Sequence, residues 1–203
     1  MRRLTTILVL ALLGACKPVA APEEPDEAIV PTAPEMPAAK AGGPAAATTA
    51  ISLDGEGLRF VDKASGKASL LAFGAPRDQA EAALARVAGA AEDRSTNVEC
   101  GAGSMEFTRF DAMTLNFQDG KFVGWFLGNE PGAGRYSTMS GIGIGTTRAK
   151  AKQSVSIVDV EDSTIGEEFT IGSGDSAIGG MFAAPGDTAK IDALFAGANC
   201  FFR

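Results

Sequence analysis

Seven of the ten prolines lie before residue 45, and every aromatic residue lies after residue 50. That segregation decides where a core can form. Pro18, Pro22, Pro25, Pro31, Pro34, Pro37 and Pro44 each remove an amide donor and fix φ. The alanines around them offer little bulk to bury, so the entropy of ordering this stretch is not recovered. We therefore expect a disordered Pro/Ala-rich linker over 16–50 and a single globular domain over 51–203. A flexible linker of this length spans roughly 30–35 Å, and an extended polyproline-like one about 100 Å. Its acids, Glu23, Glu24, Asp26, Glu27 and Glu35, read as solvating groups.

Ahead of the linker, Arg2 and Arg3 precede an apolar run, so 1–15 has the charged and hydrophobic regions of an export signal. The run covers only about twelve residues, against the ~20 a membrane-spanning helix needs. Leu12-Leu13-Gly14-Ala15-Cys16 resembles the lipobox of bacterial lipoproteins. The resemblance implies removal of the signal peptide, palmitate-type acylation of Cys16, and membrane attachment through that residue. A single acyl chain binds marginally, whereas the two or three that the lipoprotein pathway adds hold firmly. Lys17 stands where an inner-membrane retention signal usually has Asp. By that analogy the expected address is the periplasmic face of the outer membrane.

The stretch 51–203 carries 14 basic and 20 acidic residues. Such a balance speaks against nucleic acid, whose binding rests on neutralising phosphate. The chain has no histidine, which removes the usual general base, the usual zinc ligand and every Ser-His or Cys-His pair. No catalytic, cofactor-binding or metal-binding set is advertised. Cys100 and Cys200 remain after Cys16, and an even pair in an exported domain reads first as a disulfide. The alternative, a reactive thiol pair, lacks C-x-x-C spacing.

Local patterns predict strands at 57–61 and 68–73 around a turn at 62–67, then a helix at 77–88. Ala80, Ala83, Leu84 and Val87 lay one apolar stripe along that helix, and Gly89 stops it. Strands are expected at 97–100, 105–110, 113–117 and 122–127. Asp119-Gly120 suits a type I′ turn between the last two. Simple alternation then pairs Phe117 with Phe122, Leu115 with Gly124 and Met113 with Phe126. Thr114, Asn116, Val123 and Trp125 fall on the other face, where Trp125, Asn116 and Thr114 make a candidate contact surface. The alternative is that a neighbouring loop or repeat covers the tryptophan. Further on, Thr146 is a candidate N-cap for a helix at 147–154, and strands are expected near 156–160, 164–171, 177–183 and 191–202.

Helix followed by antiparallel meander, twice, predicts an α+β fold of two tandem repeats, 51–134 and 135–203, packed as one domain. The layout resembles the tandem repeats of beta-lactamase inhibitor protein and the single repeat of BamE-type outer-membrane lipoproteins. Ile142-Gly143-Ile144-Gly145-Thr146-Thr147 and Gly74-Ala75-Pro76 are similar to the stretches that enter helices in such repeats. Glu99-Cys100-Gly101-Ala102-Gly103 and Asn116-Phe117-Gln118-Asp119-Gly120 are similar to stretches of proteobacterial exported proteins, a resemblance that brings no function. The glycine string with Arg148, Lys150 and Lys152 could face a phosphate, but it lacks a nucleotide-binding fingerprint and reads as a tight turn. Asp159, Glu161, Asp162, Glu167 and Glu168 lack the spaced loop of a calcium site and read as a solvated loop. The expected function is therefore a lipid-anchored, non-catalytic binding or scaffolding module with an envelope protein as partner. An inhibitor of a periplasmic enzyme, or an envelope enzyme using carboxylates or lysine, is the alternative.

Overall fold

The computed structural model describes residues 48–201. The expected signal peptide, Cys16 and nearly all of the linker lie outside the described residues. Within them the chain is mostly β, and the two α-helices are short: α1 (Arg77–Ala88) and α2 (Arg148–Ser154). No helix among the described residues is long and apolar enough to cross a membrane.

The strands form two sheets. The smaller contains β1 (Thr49–Asp54), β2 (Gly57–Asp62), β3 (Ala68–Ala72) and β8 (Tyr136–Thr138) in the order β3-β2-β1-β8. The larger contains β4 (Asp93–Asn97), β5 (Met105–Phe110), β6 (Met113–Gln118), β7 (Lys121–Leu127), β9 (Ile157–Asp159), β10 (Glu167–Ile171), β11 (Ile178–Phe182) and β12 (Ile191–Gly197). Its order is β4-β5-β6-β7-β12-β11-β10-β9, antiparallel throughout.

This architecture overturns the α+β expectation of two helix-plus-meander repeats. Local patterns located the helices correctly but overstated their share of the fold. The division near 134 is also bridged by hydrogen bonds. β8, from the second stretch, pairs in parallel with β1 from the first, and β12 pairs with β7. The first strand starts at Thr49, two residues inside the expected linker.

One hydrophobic core unites both sheets and α1. Ile51, Leu53, Leu58 and Leu71 come from the small sheet, Ala80 and Leu84 from α1, and Phe110, Met113, Leu115, Phe117, Phe122 and Trp125 from the large one. Alternation explains the choice: Met113, Leu115 and Phe117 are every second residue of β6 and so share a face. The Asp119-Gly120 turn forms as expected, with φ values of 49° and 68°. Phe117 pairs with Phe122, but the register then shifts by one residue, so Asn116 faces Gly124 and Leu115 faces Trp125. Val123 is the extra residue of this bulge.

Candidate functional site

The bulge corrects the expected contact surface. By inserting one residue it turns Trp125 onto the core face beside Leu115, where its accessible surface is zero. Its indole Nε1–H donates to the Asp54 carbonyl at 3.0 Å, joining the large sheet to the end of β1. Trp125 thus holds the two sheets together and offers nothing to a partner.

Asn116 and Thr114 do lie on the opposite, outer face. Asn116 is buried beneath the C-terminal segment, its Nδ2 donating to the Ala198 carbonyl at 2.9 Å and to Asn199 Oδ1 at 2.8 Å. That approach requires glycine at 124, where a Cβ would sit 2.1 Å from the Ala198 oxygen. Thr114 stays half-buried and lines a cavity of about 280 Å³ with Phe107, Phe126 and Phe201. Phe201 stacks edge-on against Phe195, ring centres 4.7 Å apart. The segment is pinned by the Cys100–Cys200 disulfide, whose Cα atoms are 4.9 Å apart. The expected pairing of these cysteines is the one observed.

Of the charged groups singled out in the sequence, Arg148, Asp159, Glu167 and Glu168 are engaged in structural contacts. Arg148, the first residue of α2, pairs with Asp159 and Glu167 and lies over the Phe182 ring, 4.1 Å from its centre. Arg77, the first residue of α1, pairs with Glu81 at 2.9 Å and Glu106 at 2.7 Å and lies 4.9 Å from the centre of Phe117. The correspondence extends to register, since Glu106 faces Phe117 and Glu167 faces Phe182 across their hairpins. A cation at a helix N-terminus opposes the helix dipole, and the paired carboxylates offset that cost. The phosphate reading therefore loses Arg148, and the calcium reading loses Asp159 and Glu167 to the same guanidinium. Among the described residues no group of three or more Cys, Asp or Glu side chains could hold a metal ion.

Glu81 is the most perturbed carboxylate. Burial pushes its pKa up, but hydrogen bonds from Arg94, Thr108 and Arg77 outweigh this and hold it at about 2. A carboxylate depressed from 4.5 stabilises the fold fully above that value, and the contribution is lost as pH falls toward 2. Full linkage for such a shift is about 3 kcal/mol, but Arg94 is 57% exposed and screened by water, so about 1–2 kcal/mol is expected. Urea midpoints should fall between pH 4.5 and pH 2, with a smaller fall in Glu81→Gln. An equal fall in both proteins would remove Glu81 as the cause.

A groove of about 680 Å³ lies between α1 and β3, which pattern reading missed. Its apolar walls are Phe60 and Leu71 from the small sheet and Ala83 and Val87 from the helix. Ala80 and Leu84 of the predicted stripe are fully buried, whereas Ala83 and Val87 are left partly exposed to form this wall. Lys67 and Arg86 stand at the rim. The lining has one carboxylate, Asp62, and it accepts hydrogen bonds from the Ala64 amide and from the Ser65 amide and hydroxyl. Those Ser65 bonds lower its pKa. The usable signal in the sequence was the uncharged strand Ala-Ser-Leu-Leu-Ala at 68–72 next to a helix whose apolar stripe is wider than one contact line. No known protein family, curated protein or solved structure matches this chain.

Proposed function

We propose that the chain is a lipid-anchored protein of the cell envelope, held at the periplasmic face of the outer membrane through acylated Cys16. In this reading the domain is a non-catalytic binding or scaffolding module, and a partner protein occupies the α1–β3 groove. The observation that carries the reading is the chemistry of that groove: apolar walls, a cationic rim, and a lone carboxylate already committed to its own turn. Catalysis would call for convergent ionisable groups in the cleft. The lipobox-like stretch at 12–16 supports the anchor, and the length of 16–50 would let a small domain search a zone near the bilayer.

Two measurements test the proposal. Cys16→Ser should release the protein from membranes or leave its signal uncleaved, because the acyl acceptor is gone. If the variant still fractionates with the outer membrane after an alkaline wash, the anchor reading is wrong. A photo-cross-linking residue at Ala83 should give a discrete adduct with an envelope protein, and the same residue at exposed Lys150 should not. Equal labelling from both positions would remove the groove as the binding surface.

A further inference from the structure

We infer that the groove takes an extended, acidic segment of another protein, which adds as a fifth strand to the edge of β3 that is unpaired among the described residues. This rests on the reading of the groove as a binding surface and specifies its mode. The two sheets have four outer strands, and three of them are blunted. β8 and β9 are three residues long, and the exposed β4 carries Asp93, Arg94, Ser95, Thr96 and Asn97. β3 is five residues long, four of them exposed, with no charge and no proline. Natural sheets seldom leave such an edge unguarded unless something pairs with it.

The hydrogen-bond register shows which backbone groups are offered. The Asp62 amide donates to the Lys67 carbonyl and the Phe73 amide to the Glu56 carbonyl, both at 2.9 Å. In an antiparallel pair, inward- and outward-facing residues alternate. Ser69 and Leu71 therefore turn their backbone groups toward β2, and Ala68 and Leu70 turn theirs to the open edge. A strand laid there would place alternate side chains between the sheet and α1, against Phe60, Leu71, Ala83 and Val87.

Charge selects the occupant. The domain is acidic, yet Lys67 and Arg86 at the rim have no carboxylate within 4.0 Å among the described residues. Among the described residues Arg86 makes one hydrogen bond, from Nε to the Ala82 carbonyl of its own helix. Carboxylates on the incoming strand would meet both cations. A second copy paired through β3 brings none, since β3 contains no acid.

The test titrates full-length protein in detergent with a blocked eight-residue peptide carrying two glutamates at each end of a valine–threonine centre, so that a carboxylate reaches the groove face whichever row turns inward, with the lysine-ended counterpart as control. The acidic peptide should bind at least tenfold more tightly. It should slow amide exchange at Ala68 and Leu70 tenfold or more, leaving Ser69 and Leu71 unchanged. Lys67→Glu with Arg86→Glu should reverse the preference between peptides. Leu70→Pro should abolish binding, because proline removes an outward donor without touching the bonds to β2. Binding without protection at β3, equal affinity for both peptides, or protection that follows protein concentration without peptide would overturn strand addition. If the peptides fail while the Ala83 cross-link succeeds, the groove remains a binding surface and only this mode falls; if both fail, so does the groove.

Discussion

Trp125→Ala should destabilise the domain by about 3–5 kcal/mol, lowering Tm by about 10 °C or more. The side chain is fully enclosed, so truncation leaves a large cavity between the two sheets. It also removes the indole N–H bond to the Asp54 carbonyl, which ties the large sheet to the end of β1. Trp125→Phe keeps most of the volume and loses that hydrogen bond, so about 1–2 kcal/mol is expected. Thermal and urea unfolding of both variants measure the difference. If Trp125→Ala costs less than about 1 kcal/mol, this side chain is not the joint between the sheets. A surface aromatic would behave in that second way.

Replacing Cys100 and Cys200 by serine should cost about 4–5 kcal/mol, by the chain-entropy argument for a loop of this size. The two residues are 100 apart in sequence. The loss should also have a local signature. Without the tether, the segment is held by the Ala198 amide bond to the Val123 carbonyl, the Asn116 bonds to Ala198 and Asn199, and the Phe201–Phe195 stack. Amide exchange at Ala198 should therefore accelerate more than exchange at Leu115 in the core. Denaturant midpoints of oxidised and reduced protein read the global effect. A difference under about 1 kcal/mol would mean that the unfolded chain gains little freedom from reduction.

What could be read from the chain was whatever is specified by neighbours in sequence. The bounds of α1 at 77–88 and of β5 at 105–110 match the expectation because spacing and flanking turns alone define them. The Asp119-Gly120 turn fixed the first pair of its hairpin for the same reason. The rest depended on distant partners. β8 has three residues and pairs with β1, more than 80 positions earlier, so no local pattern announces it. β4 was expected at 97–100 but forms at Asp93–Asn97, whose polar side chains carry no apolar alternation. Val123 is one residue of bulge, invisible to a strict count of two, yet it decides which face Trp125 occupies. The cap of α2 moved by a single position, to Thr147, whose hydroxyl accepts from the Lys150 amide. The α1–β3 groove was missed because it is an unfilled space between lining residues of β3 and α1 that are 8 to 19 positions apart, and sequence patterns report what packs.

The position of β12 in the large sheet has a consequence for how the molecule comes into being. It is the last of the described strands in chain order, yet it lies between β7 and β11 near the middle of the sheet rather than at an edge. Until 191–197 arrives, β7 and β11 each present an unpaired edge, and the N-terminal four strands of the large sheet cannot join the other three. Assembly must wait for contacts between segments far apart in the chain, which slows folding to the millisecond-to-second range expected of such topologies. Under the export proposed above, a polypeptide threaded N-terminus first through a narrow channel would gain from this arrangement, because the large sheet stays incomplete until 191–197 has crossed.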